Sequence, residues 1–396
     1  CWSWTHGKSY KMKDTNLTLL LVLKDRPHFT ERLMHFLSFM EYPYKILIAD
    51  GGKNKGIQRL LSNPNIYPGV DYEYVRYPFD STVDDFHKKM SDVVDKIKTP
   101  ITSVLDNDDH LLLSGYRRCL KYLKDNPTYS SARGQMNGMQ VLAHNDFGSR
   151  GNGVCGPLAI HKNMYDKYTE DIIGDTARER VEKQTKQFHG NWHNLARTNH
   201  IQACWKMLNV IQPKNMRFTE QITAYLNTTW GDSHRGDFPW MLHQNSQRVQ
   251  LGNEKQNLNS HFPEQVDWVE MPSWAEDFNK MTEVMGVAIS EYDGTPVSEA
   301  MQYFTEVYPL KLMESNLTAL FREKIGEAKK LGYDEKRIKK LKNVVRKYKV
   351  KEIPQVGEIQ GPDVSDFFET TLLANFITGG INQYNGTRYP IAGDLL

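Results

Sequence analysis

Only four cysteines occur in 396 residues, Cys1, Cys119, Cys155 and Cys204, widely separated and without a Cys-x-x-Cys. A disulfide-stapled secreted scaffold would be denser, so the thiols read as reduced and the chain as cytoplasmic. Paired Cys and His at structural-zinc spacing are absent as well. Long apolar runs are missing: the longest, residues 17–23, contains Thr18 and stops at Lys24. That falls far short of the ~20 residues a membrane-crossing helix needs, so no integral membrane segment is expected. No basic stretch leading into an apolar one marks a secretory leader. Without such a leader the four Asn-x-Ser/Thr triplets, at Asn16, Asn227, Asn316 and Asn385, carry little meaning. Charge of one sign is also lacking. The net charge of +2 is too small for a nucleic-acid footprint.

What is present is an ordinary globular composition, 39% hydrophobic and 25% charged, able to bury a sizeable core. The length allows two or three domains, or one large core with an appendage. Residues 17–23 read as a buried strand that stops at Lys24-Asp25-Arg26-Pro27. Pro27 suits the first turn of a helix carrying Leu33, Phe36, Leu37 and Met40 at helical spacing. A second strand, 45–49, ends at Asp50-Gly51-Gly52, and a third covers 71–75. A helix over about 82–98 places Phe86, Met90, Val93, Val94 and Ile97 on one face. A fourth strand, 101–105, ends at Asp106-Asn107-Asp108-Asp109. Strands and helices in alternation imply a mainly parallel sheet covered on both faces. Ligands bind such sheets beyond the carboxyl ends of the strands, where three of the polar clusters fall. Farther on, helices are expected over about 111–124, 199–208 and 218–227, the last carrying Glu220. Residues 265–350 read as helical and charged.

The cluster at 106–109 carries the chemistry. Mg²⁺ and Mn²⁺ prefer carboxylate oxygens, and Mg²⁺ takes one or two of them together with phosphate oxygens and water. An Asp-x-Asp at a strand end meets that need. The bland alternative is a turn leading into a helix cap, where Asp is common. Its place in an alternating series, right after a buried strand, favours the metal. A helix-loop-helix calcium loop is excluded because no Gly or Glu falls at the later positions it requires.

The segments 19–27 (LLLVLKDRP), 46–52 (ILIADGG) and 104–110 (VLDNDDH) resemble the nucleotide-sugar-binding half of family-2-like glycosyltransferases with a GT-A fold. Weaker resemblance continues through Arg217-Phe218-Thr219-Glu220 and through residues 239–244 (PWMLHQ) to the family's acceptor half. It implies an α/β fold of the GT-A type: a Rossmann-like, mainly parallel sheet flanked by helices. The lead-in would be 1–14 and the transferase domain 15–260, with a nucleotide-sugar half at 15–125 and an acceptor half at 126–260. A mostly helical region, 261–396, would follow. By this resemblance Asp25 and Asp50 contact the base and ribose of the donor, with Gly51 beside them and Arg26 near the phosphates. Asp106 lies near the ribose or the metal, Asp108 ligates the metal, and Asp109 supports from behind. Glu220 stands where the family has its general base. His243 and Gln244 lie in a segment closing over the diphosphate, His243 as a further metal ligand. The cofactor is Mn²⁺ or Mg²⁺. The partners are a nucleotide-sugar donor and a glycan or other hydroxyl acceptor, and the outcome is inversion. The family's Gln-x-x-Arg-Trp motif is absent, which speaks against processive polysaccharide synthesis. The helical C-terminal region could serve an acceptor, a homo-oligomer or an additional catalytic module.

Two other functions share parts of this pattern. A sugar-phosphate nucleotidyltransferase shares a related sheet but needs a Gly-rich first loop, and Lys24-Asp25-Arg26-Pro27 has no glycine. A non-catalytic sugar- or partner-binding protein is disfavoured by the intact Asp50, Asp106 and Asp108. Gly151-x-Gly153-x-x-Gly156 matches a dinucleotide fingerprint by letter, yet polar residues precede it where a strand is required. His189 and His193 are four apart, but Gly190 weakens a helix there and no Glu completes a zinc motif. They read as surface or hydrogen-bonded histidines, and His234 and His243 are the better candidates. Trp230, Trp240 and Trp274 are read first as core, and the Lys-rich run 324–351 as a solvated helix face.

Overall fold

A computed structural model describes residues 14–141, 158–161, 170–188, 190–244 and 272–309, with short pieces at 334–336, 339, 369–370, 373 and 376–377. Cys1, the Gly151/Gly153/Gly156 pattern, Cys155, His189, Asn316, Asn385 and most of the run 324–351 lie outside the described residues.

The chain enters through β1 (Asp14–Leu23), α1 (Pro27–Phe39), β2 (Tyr44–Asp50), α2 (Lys55–Leu61), β3 (Tyr72–Arg76), α3 (Val83–Asp95) and β4 (Ile101–Asp106). The second half runs through β5 (His110–Leu111), α4 (Leu113–Asp125), β6 (Tyr129–Val141), β7 (Leu158–His161), α5 (Ala177–Lys186), β8 (Leu195–Arg197), α6 (Thr198–Ile211), α7 (Met216–Thr229) and β9 (Asp232–Gln244). Helix α8 (Trp274–Asp293) and a further helix, α9 over 297–309, follow.

Local chemistry starts several of these helices. Pro27 opens α1 with its preset φ and no N–H to leave unpaired. Asn54 caps α2 by accepting from the N–H groups of Gly56 and Ile57. Thr82 and Asp85 cap α3 reciprocally, as Thr176 and Glu179 cap α5.

The strands form one sheet in the order β3-β2-β1-β4-β8-β6-β9-β5, with β7 also paired to β6. The β3-β2-β1-β4 half is wholly parallel, as the alternation of elements implies. Beyond β4 the sheet is mixed: β8 is antiparallel to β4 and β6, β9 is parallel to β6, and β5 is antiparallel to β9. This is the α/β sheet flanked by helices expected from the sequence, parallel in its Rossmann-like half but mixed rather than mainly parallel as a whole. The helix expected from Leu111 starts instead at Leu113, because His110 and Leu111 pair with Leu242 and Met241 of β9.

Alternate residues of the parallel strands feed two cores. Leu17, Leu19, Leu21, Ile46, Ile48 and Leu105 pack with α1, α2 and α4 on one face. Leu20, Leu47, Ala49 and Val104 pack with α3, α6 and α7 on the other. A strand buried on both faces reads as a continuous apolar run, which is what β1 is. Met281, Met285 and Ile289 of α8 and Phe304 and Tyr308 of α9 join the second core. A third cluster brings Leu373 and Ile377 against Phe36, Met139, Val141 and Leu242. Cys119 and Cys204 are buried, unpaired thiols, one in each main core. Trp240 is fully buried and stacks on Tyr116, and Trp274 stacks on Phe278. Among the described residues no helix is long and apolar enough to cross a membrane.

Candidate active site

Register places the acidic clusters together. Leu23 pairs with Asp50 and Val22 with Asp106, so the loops after β1, β2 and β4 leave the same edge of the sheet side by side. In the first loop Asp25 (φ 59°) and Arg26 (φ 56°) both adopt the left-handed conformation. Two consecutive non-glycine residues in that region are strained, a condition that clusters at functional sites. The strain is held by neighbours. Asp25 Oδ1 accepts the Lys53 N–H at 2.7 Å, and the Arg26 carbonyl accepts from the Asn107 side chain at 3.2 Å. Asn107 also donates to Thr30 Oγ1 at 3.0 Å, tying the Asp-x-Asp loop to α1.

Asp50, only 2% exposed, holds the second loop. Its Oδ1 accepts the Gly52 N–H and its Oδ2 the Tyr74 hydroxyl, each at 2.7 Å. Glycine is required at both following positions by close approach. A Cβ on Gly51 would lie 2.0 Å from Asp80 Oδ2, and one on Gly52 would lie 2.6 Å from the Asp25 backbone nitrogen. Behind Gly51 sits a fully buried ion pair, Asp80 with Lys89.

In the third loop Asp106 and Asp108 are half-buried and Asp109 is fully buried. The Asp108 carboxylate pairs with the Arg26 guanidinium, which also lies 4.7 Å over the Phe29 ring. The Asp106 carboxyl is pushed up to about 6, by burial first and by the negative Asp108 beside it. Asp109 faces inward. Its Oδ1 accepts the Gln244 N–H at 2.9 Å, and its Oδ2 lies 3.0 Å from His243 Nδ1.

Glu220 arrives from the other half of the chain on the first turns of α7, packed over the second core and capped by Asn215. It is half-buried, and burial lifts its carboxyl to about 6. The charge of Asp106 adds to that shift and Arg217 opposes it. His243, at the end of β9, is raised to about 9: Asp109, Asp108 and Asp106 together overcome the burial that would lower it. The structure thus brings Asp25, Arg26, Asp50, Gly51, Asp106, Asp108, Glu220 and His243 to one edge. Gln244 is beside them but directed inward, its side-chain oxygen accepting from Arg32 at 2.7 Å.

Sequence reasoning did not single out Arg32 or Asn107, and it treated His193 as an ordinary histidine. Arg32 is buried and joins the Asp108 carbonyl, at 2.8 Å, to Gln244. His193 is buried too, its Nδ1 3.0 Å from the Val104 carbonyl. Asn107 was legible only as the middle letter of an Asp-x-Asp. Arg32 and His193 had no motif around them, because their partners lie 76 and 89 residues away. His234, the other histidine favoured from sequence, is placed elsewhere, stacked on Tyr122 with its Nδ1 2.9 Å from Asp171.

No protein-family model matches the chain, and no curated protein matches it. Solved structures resemble it distantly. S. aureus TarS 1-349 in complex with UDP is 12% identical, over 76% of this chain and 91% of that one, with a TM-score of 0.40. The complex of TarS 1-349 with UDP-GlcNAc is 10% identical, over 76% and 92%, with a TM-score of 0.38. The mannosyltransferase PcManGT from Pyrobaculum calidifontis, in complex with GDP-Man and Mn²⁺, is 10% identical over 94% of this chain and 88% of that one, with a TM-score of 0.40.

Proposed function

We propose that the chain is a metal-dependent, inverting glycosyltransferase. It moves a sugar from a nucleotide-diphosphate-sugar onto a hydroxyl of a glycan or another acceptor. The observation that carries this reading is the meeting of Glu220, from α7, with Asp106 and Asp108 at the carboxyl edge of the parallel strands. Glu220 feels the charge of Asp106, and both carboxyls are lifted to about 6.

Asp25 and Asp50 serve the base and ribose, Gly51 lets the backbone approach them, and Arg26 serves the phosphates. Asp50 does so from a fixed seat, since its Oδ1 accepts the Gly52 N–H and its Oδ2 the Tyr74 hydroxyl of β3. Gln244 braces the segment at the diphosphate through Arg32 and Asp109. The acidic loop fits a divalent ion of the Mn²⁺ or Mg²⁺ kind, because Asp106 and Asp108 repel one another and a dication relieves that repulsion. Asp106 and Asp108 would hold the ion, with His243 as the third ligand. When bound, the ion neutralises charge developing on the leaving diphosphate. Glu220, ionised at neutral pH yet basic for a carboxylate, takes the proton of the acceptor hydroxyl.

Glu220→Gln tests the assignment. Transfer should fall by about 10²–10⁴-fold, the worth of general-base help. Stabilisation of the variant by a nucleotide-sugar with Mn²⁺, read as a rise in Tm, should persist. Ordinary turnover in the variant removes Glu220 from the role. Failure of every nucleotide-sugar in a panel to stabilise the wild type removes the transferase reading, and release of pyrophosphate from a nucleoside triphosphate would replace it.

A further inference from the structure

Behind the acidic loop three side chains converge that the proposed reaction does not use as a set. Asp109 Oδ2 lies 3.0 Å from His243 Nδ1 and 3.5 Å from His193 Nε2. One ligating atom from each of Asp109, His193 and His243 lies within 4.8 Å of the other two, the one such grouping among the described residues. Asp109 and His193 are buried, and the His243 side chain is 32% exposed.

The proton positions follow from the partners. A carbonyl oxygen only accepts, so His193 Nδ1, 3.0 Å from the Val104 carbonyl, carries the ring's proton. Its Nε2 then presents a lone pair to a carboxylate oxygen, another acceptor. Two buried acceptors 3.5 Å apart repel, and a cation between them relieves that repulsion. Anchoring of the far ring nitrogen on a backbone carbonyl is also how metal-ligating histidines are oriented.

We propose that Asp109, His193 and His243 form a buried site for a transition-metal dication of the zinc class. Two imidazoles and one carboxylate suit Zn²⁺ and its neighbours, whereas Mg²⁺ and Ca²⁺ favour oxygen ligands. Bonds of ~2.0 Å in a tetrahedral site put ligand atoms about 3.3 Å apart. The separations of 3.0 and 3.5 Å around Asp109 Oδ2 bracket that spacing.

Occupancy has a consequence for the donor's ion, and this part rests on the transferase reading. To ligate an ion His243 must give up a proton, which leaves one proton for two ring nitrogens. With the inner site empty, Nδ1–H donates to Asp109 and Nε2 serves the ion held by Asp106 and Asp108. An inner ion takes Nδ1 and leaves the proton on Nε2, which then ligates nothing. The two ions compete for one ring.

Zn²⁺ and Co²⁺ alone, titrated into the chelator-treated chain, test the site without any nucleotide. The expected result is one tightly bound ion per chain and Co²⁺ visible bands of a four-coordinate nitrogen-and-oxygen site. His193→Ala should weaken Zn²⁺ on the order of 100-fold. The Co²⁺ spectrum of the wild type needs no variant to fold. Its absence, or equal Zn²⁺ affinity in His193→Ala, overturns the proposal. In a second arm Zn²⁺ should raise the Mn²⁺ concentration needed for nucleotide-sugar binding in the wild type and not in His193→Ala. Zn²⁺ bound without that competition keeps the inner site and overturns the sharing of His243. An intact zinc site in a chain that binds no nucleotide-sugar overturns the transferase reading alone.

Discussion

Glu220 sits where stability alone would not put a carboxylate. Its folded-state pKa of about 6 lies above the ordinary Glu value, so between roughly pH 4 and 6 the folded chain binds more protons than the unfolded one. By linkage, this group adds stability as pH falls through that window and subtracts it at neutral pH, and Asp106 acts in the same direction. His243 works oppositely. Raised to about 9, it contributes stability that is complete below its unfolded value and is lost as pH climbs through 9. Glu220→Gln, besides losing transfer, should therefore unfold at a higher Tm than wild type at pH 8. The gain is about 1 kcal/mol once partial exposure is discounted, and it should vanish near pH 4. A pH series of thermal melts checks this, and a gain that does not change with pH would show that the carboxylate carries no burial penalty. The wild-type rate should rise as Glu220 ionises near pH 6.

The buried Asp80–Lys89 pair links the loop after β3 to α3 and stands directly behind Gly51. Burial pulls the Lys89 pKa down, and Asp80 works against that pull. Removing one partner strands the other's charge. Lys89→Met should thus cost about 3–5 kcal/mol in urea unfolding, and adding Asp80→Asn should recover most of it. Two costs that simply add would mean the pair is not coupled. The same segments show why some elements could be read from sequence and others could not. β1 and β2 declare themselves because both faces are apolar. β6 does not, since Ser130, Ser131, Arg133, Gln135 and Asn137 are all buried along it and erase any alternation. Its hydrogen bonds explain the tolerance: the Ser131 hydroxyl meets Ser233 and Asn227, and Gln135 meets Asp237. β9 is hidden for the same reason, because its polar residues answer those of β6. Helices α8 and α9 were legible as helical but not as core, since burial against α5 and α7 depends on partners far away in the chain.

Across the molecule, the carboxylates supplied by local β-helix-β units were visible in the sequence, and the inward-facing histidine set was not. Asp50 and Asp106 end parallel strands and Asp25 follows the strand between them, so motif order and fold order coincide. Glu220 reaches the same edge through the packing of α7 on the second core, and His243 through β6 and β9, whose parallel register pairs Tyr129 with Asp232 and Met139 with Gln244.

That register sets an order of assembly. The strands β1 to β4 close through short connections, whereas β9 must find β6 across about 100 residues of intervening chain, and long-range parallel pairing is slow. Refolding from denaturant should therefore pass through a stage with the first carboxylate loops in place and no β9 beside them. Pulsed hydrogen exchange would show it as early protection of amides in β1 and β4 and late protection in β9. In such an intermediate the acidic loops would stand together before the His243 ring arrived to balance their charge.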